Sequence, residues 1–276
     1  MQDIKHKNIE ITSAKILAVV NEKGKKWFCL NEILPLLPEM TDNHIRVQVQ
    51  RMTEEGLLMR LREGVYYIIP FEQDSASFMP DWHLLAEPLT RGGEYYIGYY
   101  SALQIHQLIT QPSLKEQIVV KKRIKPAETE IKGVKFQFIY PNDKHFFGYK
   151  KLWIDNFNKV YCSDLEKTFV DCLYKPDYAG GIIEIAKAIV MAKDKINFDT
   201  LLKYVLQFDA QVVIKRLGYL LEMLQIDTPI IETLLKERSS SIALLDTEAP
   251  KEGKVLSRWN IQQNVDTETI RNVILT

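Results

Sequence analysis

The feature that most constrains this chain is a change of repeat at Gly56. Before it, Ile45, Val49 and Met52 recur at i, i+4 and i+7, the spacing of one helical face. After it, LLMRLREGVYYIIP alternates every second residue, as a half-buried strand does. Thr41 suits the N-cap of the helix, and Gly56 suits its end. In the alternating stretch Leu57, Met59 and Leu61 point one way, and Leu58, Arg60 and Arg62 the other. Glu63-Gly64 is a tight turn, and residues 65–69 return as a second strand.

Two shorter helices precede this unit. One spans 9–20, with Ile9, Ile16, Val19 and Val20 on one face. The next follows Asn31 through EILPLL, with Pro35 near its end and Pro38 stopping it. Three short helices followed by a hairpin is the order of a winged helix-turn-helix. In that arrangement the third helix enters the major groove and the hairpin touches the backbone. The third helix carries Asn43, Arg46, Val47 and Gln50 opposite its apolar stripe, with His44 and Arg51 at the flanks. Arg, Asn and Gln supply the donors and acceptors that base edges require. Arg60 and Arg62 suit phosphates. An ordinary solvated helix face has the same composition; the hairpin behind it favours the DNA reading.

Charge does not argue for nucleic acid globally, because 36 Lys+Arg balance 36 Asp+Glu. By segment the net is +1 over residues 1–70, +2 over 71–160 and −3 over 161–276. One dense basic run, Lys121-Lys122-Arg123 with Lys125, follows a strand-like stretch at 116–124. It is either a DNA or acidic-partner contact or the lysine-rich protection of an edge strand. No apolar run approaches the roughly 18 residues of a membrane span, and the N-terminus lacks a signal-peptide core. Three cysteines with no CxxC pair read as reduced thiols. A cytoplasmic protein is the expectation.

The expected fold class is α+β. A winged helix-turn-helix DNA-binding domain covers 1–72. A mixed α/β domain covers 80–276, β-rich at 94–162, helical at 163–240, with a tail at 241–276. The polar stretch FEQDSASFMPDW at 71–82 marks the boundary. Within the second domain, residues 94–109 pass from an aromatic strand through Gly98 into a helix that Ser101 would cap. His106 on this helix has no acid or Cys partner at a recognisable spacing and reads as structural. Further strands are expected at 134–141, 145–154 and 159–162. Glu130-Ile131-Lys132 matches half of a metal-dependent nuclease motif, but no upstream Asp completes it. Ser163 and Glu166 fit a capping box ahead of a helix whose stripe is Leu165, Phe169, Cys172 and Leu173, with Pro176 ending it. Cys172 then belongs to the core, while Asp164 and Asp171 read as polar surface or partner-facing groups. Amphipathic helices follow at 181–193, 197–208, 212–226 and 229–238. A short hairpin follows over 241–265, and a last short helix begins at Asp266. There is no P-loop, no GxGxxG after a strand, no HExxH, no GxSxG and no zinc spacing. No enzyme class and no cofactor is indicated.

Two stretches carry a resemblance. YYIGYYSALQIHQL at 95–108 and VYCSDLEKTFVDCLYKPDYAGGIIEIAKAI at 160–189 resemble the core motifs of AbiEi antitoxins of type IV toxin–antitoxin systems. The second is the more specific, with its Lys-Thr-x-x-Asp helix, Pro terminator and Gly-Gly in order. The resemblance implies a non-enzymatic autorepressor of its own operon that binds inverted repeats in double-stranded DNA. It also implies a C-terminal domain that counteracts a nucleotidyltransferase-type toxin without a stable complex. The positions the resemblance implies for DNA contact are Asn43, Arg46, Gln50 and Arg51, with Arg60 and Arg62 on the wing; His44, at the flank of the same helix face, is a further candidate. Lys121, Lys122, Arg123 and Lys125 form a second basic patch. A transcription regulator without a toxin partner, and a metal-dependent nuclease using Glu130, are the alternative readings.

Overall fold

The computed structural model describes residues 10–109 and 111–273. The chain is a mixed α+β protein that divides into two compact units, residues 1–94 and 95–276. The boundary therefore falls after Glu94, later than the 72–80 expected from composition. The reason is packing. A 3₁₀ turn at Trp82–Leu85 leads into the short helix α4 (Ala86–Leu89), and Leu85, Ala86 and Leu89 are all buried. This helix packs on the sheet of the first unit.

In the first unit, α1 (Ile11–Glu22) runs into β1 (Trp27–Cys29) and α2 (Leu30–Ile33), with Pro35 in the single 3₁₀ turn that follows. Ile9 lies outside the described residues. Helix α3 (Asp42–Glu54) is capped by Thr41, whose side chain accepts from the His44 N–H at 3.3 Å. Strands β2 (Leu58–Arg62) and β3 (Val65–Ile68) form the expected hairpin. β1 adds a third strand, giving the antiparallel order β1-β3-β2. Its three residues are too few to show a period, which is why the sequence did not reveal it. Ile16, Val20, Ile33, Ile45, Val49, Met52 and Leu58 meet in one core.

The second unit is built on a six-stranded sheet in the order β6-β7-β5-β4-β9-β8. Its strands are β4 (Tyr95–Ile97), β5 (Lys115–Val120), β6 (Glu128–Ile131), β7 (Val134–Ile139), β8 (Tyr149–Trp153) and β9 (Lys159–Ser163). β5 pairs with both β4 and β7, so it is an interior strand and not the edge that its lysine-rich end suggested. The edges are β6 and β8. Between β4 and β5, α5 (Tyr99–Ile105) starts at Gly98, not at Ser101. Ser101 instead accepts from the Gln117 N–H at 2.8 Å and donates to the Lys115 carbonyl at 3.1 Å, tying α5 to β5.

Helix α6 (Leu165–Tyr174) is the centre of this unit, and seven consecutive residues, 167–173, are buried. Its N-cap is Asp164, which accepts from the Lys167 N–H at 2.9 Å. The expected capping box does not form. Ser163 ends β9 with its hydroxyl bonded to Thr168 at 2.7 Å, and Glu166 accepts from the Asn197 N–H at 2.8 Å. Asp171 is not a surface group either: it is 2% exposed and ion-paired with the fully buried Lys167. The Tyr96 hydroxyl joins the pair, accepting from Lys167 at 3.1 Å and donating to Asp171 at 3.2 Å. Burial pushes the Asp171 carboxyl up and the Lys167 ammonium down.

Around α6 pack α7 (Gly181–Ala192), α8 (Phe198–Phe208) and α9 (Gln211–Met223), followed by α10 (Ile230–Glu237). Buried Arg216 of α9 donates to the carbonyls of Leu173 and Tyr174, satisfying the C-terminal end of α6, and to that of Leu244. Burial lowers its guanidinium pKa to about 10. The Gly180-Gly181 pair opens α7 with φ of 77° and 86°, left-handed angles that suit glycine. A Cβ on Gly181 would also meet the Asp246 carboxylate at 3.0 Å, the group that accepts from the Ile182 N–H. Three short strands, β10 (Ala243–Leu244), β11 (Lys254–Leu256) and β12 (Ile261–Gln263), make a separate sheet in the order β10-β12-β11, and α11 (Thr267–Asn272) follows. Trp259 of this segment lies on Gly218 of α9, where a Cβ would come within 2.0 Å of its ring.

Removing one member of the buried pair leaves an uncompensated charge. Lys167→Met is expected to destabilise the chain by about 3–5 kcal/mol, and Lys167→Met with Asp171→Leu together by markedly less. Urea denaturation followed by far-UV circular dichroism measures both; equal losses for the single and double variants would contradict the assignment.

Candidate nucleic-acid interface

The exposed face of α3 carries Asn43, His44, Arg46, Val47 and Gln50. They project because Ile45, Gln48, Val49 and Met52 turn the other face into the core. Arg46 and Gln50 line a groove of about 860 Å³ with Arg60 of β2, Tyr66 of β3 and Arg91 beyond α4. Among the described residues, Arg46 and Arg60 have no hydrogen-bond or ion-pair partner. Gln50 donates to Glu54 at 3.0 Å, and Arg91 donates to the Glu63 carbonyl at 3.0 Å. Glu54 and Glu63 also line the groove, so its positive potential is modest.

Two of the expected site residues are engaged elsewhere. Arg51 is held by Glu10 at 2.8 Å and Glu55 at 3.2 Å. Arg62 is half-buried and donates to the Leu89 carbonyl at 2.9 Å. A register shift between Arg60 and Arg62 breaks the strict alternation that put both arginines on one face. Burial and the neighbouring Arg91 lower the Arg62 pKa. Arg91 itself was not found from sequence. It lies in an irregular turn with φ of 55°, where periodicity has nothing to report, and only the Gly92-Gly93 that follows marks a turn.

The basic run belongs to the second unit, on the segment between β5 and β6. Lys122, Arg123 and Lys125 are exposed. Lys121 is half-buried, 3.5 Å from Asp143 and above the Phe146 ring. Arg123 lies 5.5 Å from the Tyr140 ring centre.

Glu130 is exposed on edge strand β6, opposite Lys135, and Lys132 occupies the β6–β7 turn. Among the described residues no cluster of three or more His, Cys, Asp or Glu could hold a metal ion. His106 Nε2 donates to the Ser163 carbonyl at 2.9 Å, and burial holds its imidazole below the usual range. All three cysteines are buried and unpaired, and burial raises each thiol pKa. Among the described residues no helix is long and apolar enough to cross a membrane.

The fold has a counterpart among solved structures. The chain is similar to the crystal structure of the RV2827C protein from Mycobacterium tuberculosis, with a TM-score of 0.68 and 14% sequence identity over 98% of this chain and 97% of that one. No protein-family model and no curated protein matches the chain.

The two hairpin arginines separate a structural from an exposed role. Arg62→Ala is expected to cost about 1–3 kcal/mol by stranding a buried acceptor, and Arg60→Ala less than about 0.5 kcal/mol. Thermal melts of both variants check this.

Proposed function

We propose that the first unit is a winged helix that reads double-stranded DNA, and that the chain is a transcriptional autorepressor and antitoxin of the AbiEi type. The observation that carries the DNA reading is the convergence of Arg46, Gln50 and Arg60 on one groove, with neither arginine paired among the described residues. In this reading α3 enters the major groove. Arg46 donates to the O6 and N7 of a guanine, and Gln50 exchanges its Glu54 contact for a base edge. Arg60 on the β2–β3 wing and Arg91 beside it hold phosphates and set the register. Arg62 and Arg51 are positioning residues that keep the hairpin and helix in place. The facing Glu54 and Glu63 limit attraction to non-specific DNA, so base contacts count for more of the affinity.

The antitoxin half of the proposal rests on the two motif stretches. Their charged and small residues build the second unit: Lys167 and Asp171 at its centre, and Gly180-Gly181 at the start of α7. In this reading the second unit counteracts a nucleotidyltransferase-type toxin.

Mobility shifts on the intergenic DNA upstream of the gene test the first half. Arg46→Ala is expected to weaken binding by about 1–3 kcal/mol and to relax preference at one base pair. Arg60→Ala weakens all sequences alike and lowers the salt slope by about 1. Equal affinity of wild type and Arg46→Ala would exclude α3 as the reading helix. For the second half, co-expression with the product of the adjacent gene is expected to restore growth, with residues 95–276 sufficient for rescue. Failure of the whole chain to rescue would leave a regulator without a toxin.

A further inference from the structure

We propose that the β8–β9 hairpin of the second unit is a binding platform for single-stranded nucleic acid. This hairpin belongs to the second unit and α3 to the first, and the reading does not depend on the DNA proposal.

The hairpin carries an alternating ladder of rings and ammonium groups. Trp153 is directly opposite Lys159, and Lys151 directly opposite Tyr161. Lys159 Nζ lies 4.1 Å from the Trp153 ring centre, and Lys151 Nζ lies 5.1 Å from that of Tyr161. With a side-chain period of two, all four share one face of the hairpin. Trp153 is 60% exposed, Tyr161 39%, and Phe157 at the hairpin tip 88%. A solvent-facing Trp and Phe within a few residues of each other, rimmed by cations, have the make-up of an interaction patch.

The ladder continues to the basic run. The Tyr161 ring meets Tyr149 at 6.0 Å, Tyr149 meets Phe146 at 5.2 Å, and Lys121 lies 5.2 Å from the Phe146 centre. Arg123, next but one, rests against Tyr140, which is itself 46% exposed. Residues 121–125 and 140–161 together hold eight cations and two carboxylates. Of the two, Asp143 faces Lys121, and Asp155 is engaged within its own turn by the N–H groups of Phe157 and Asn158.

Two properties select the occupant. The charge excess complements phosphates. The rings are worth nothing to a duplex, whose base faces are stacked inside, but each can take an unstacked base of any identity. An acidic peptide would satisfy the lysines and leave the rings uncovered. β8 is also an edge strand, so no neighbouring strand covers the approach.

The test uses the full-length protein with fluorescein-labelled oligouridylate, oligothymidylate and a duplex of equal length, read by fluorescence anisotropy. Both single strands are expected to bind more tightly than the duplex. Tighter binding of oligouridylate would identify RNA as the source, and tighter binding of oligothymidylate would identify single-stranded DNA. Trp153→Ala is expected to weaken single-strand binding roughly 5- to 150-fold, while Trp153→Phe keeps most of it. Lys151→Gln with Lys159→Gln lowers the salt slope by roughly 1.4. Arg46→Ala leaves single-strand binding unchanged, which separates this outcome from that of the DNA-reading helix. Preference for duplex that persists in the Arg46→Ala, Arg60→Ala double variant, wild-type single-strand affinity in Trp153→Ala, or an anisotropy response to a polyglutamate peptide but not to the oligonucleotides would overturn the proposal.

Discussion

The second unit depends on one buried ion pair. Lys167 and Asp171 sit one turn apart on α6, both out of water, and the Tyr96 hydroxyl bridges them. The rings of Tyr96, Phe147 and Phe208 lie 5.0–5.3 Å from the ammonium and offer their negative faces to it. Such a cluster contributes little net stability compared with a well-packed apolar equivalent, but it tolerates only one arrangement of its partners. It fixes the rotation of α6 against β4 and α8. From there Arg216 closes the far end of the helix and links it to Leu244.

This gives the motif at 160–189 a physical content. Its unusual residues are those a packed centre needs. Lys167 and Asp171 form the pair, and Thr168 bonds back to Ser163 and Asp164. Pro176 stands in the turn that ends α6, and the two glycines open α7 beside Asp246. The likeness of the whole chain to a solved structure at low identity fits the same picture, since a fold is held by few positions. Lys167, Thr168, Asp171, Pro176 and Gly181 are all buried, while Gly180 is exposed at the start of α7.

Much of the architecture was legible because its elements are periodic. α3, the β2–β3 hairpin and the four helices from 181 to 237 follow apolar spacing that survives in the structure. What escaped was aperiodic or paired. β1 and the strand containing Glu130 are too short to show alternation. The α6 cap fell one residue later than the S-x-x-E pattern suggested, since Ser163 was committed to β9 and the Asp164 carboxylate is a strong acceptor. Asp171 read as surface because a lone charge gives no sign of its partner, although its spacing from Lys167 is that of a helical ion pair. Pattern alone put Arg46 and Gln50 on the exposed face of α3 and Arg60 on the hairpin, and the three line one groove. Arg62 lies against the Leu89 carbonyl because of a bulge that composition does not reveal, and Arg91 joins the groove from a turn after α4 that no periodicity marks.

The seat of Trp259 on Gly218 bears on how the chain is made. The ring fills a space on α9 that no earlier residue occupies, and its indole N–H is fixed by Glu222 at 2.7 Å. While the polypeptide emerges from the ribosome, α9 must wait for this segment, with its apolar surface open until the last strands arrive. The core cluster of the first unit is drawn from residues 16–68 alone. Vectorial synthesis therefore makes all of the residues of that N-terminal core before the segment that covers α9, and the interval in which α9 lies open runs until Trp259 has emerged.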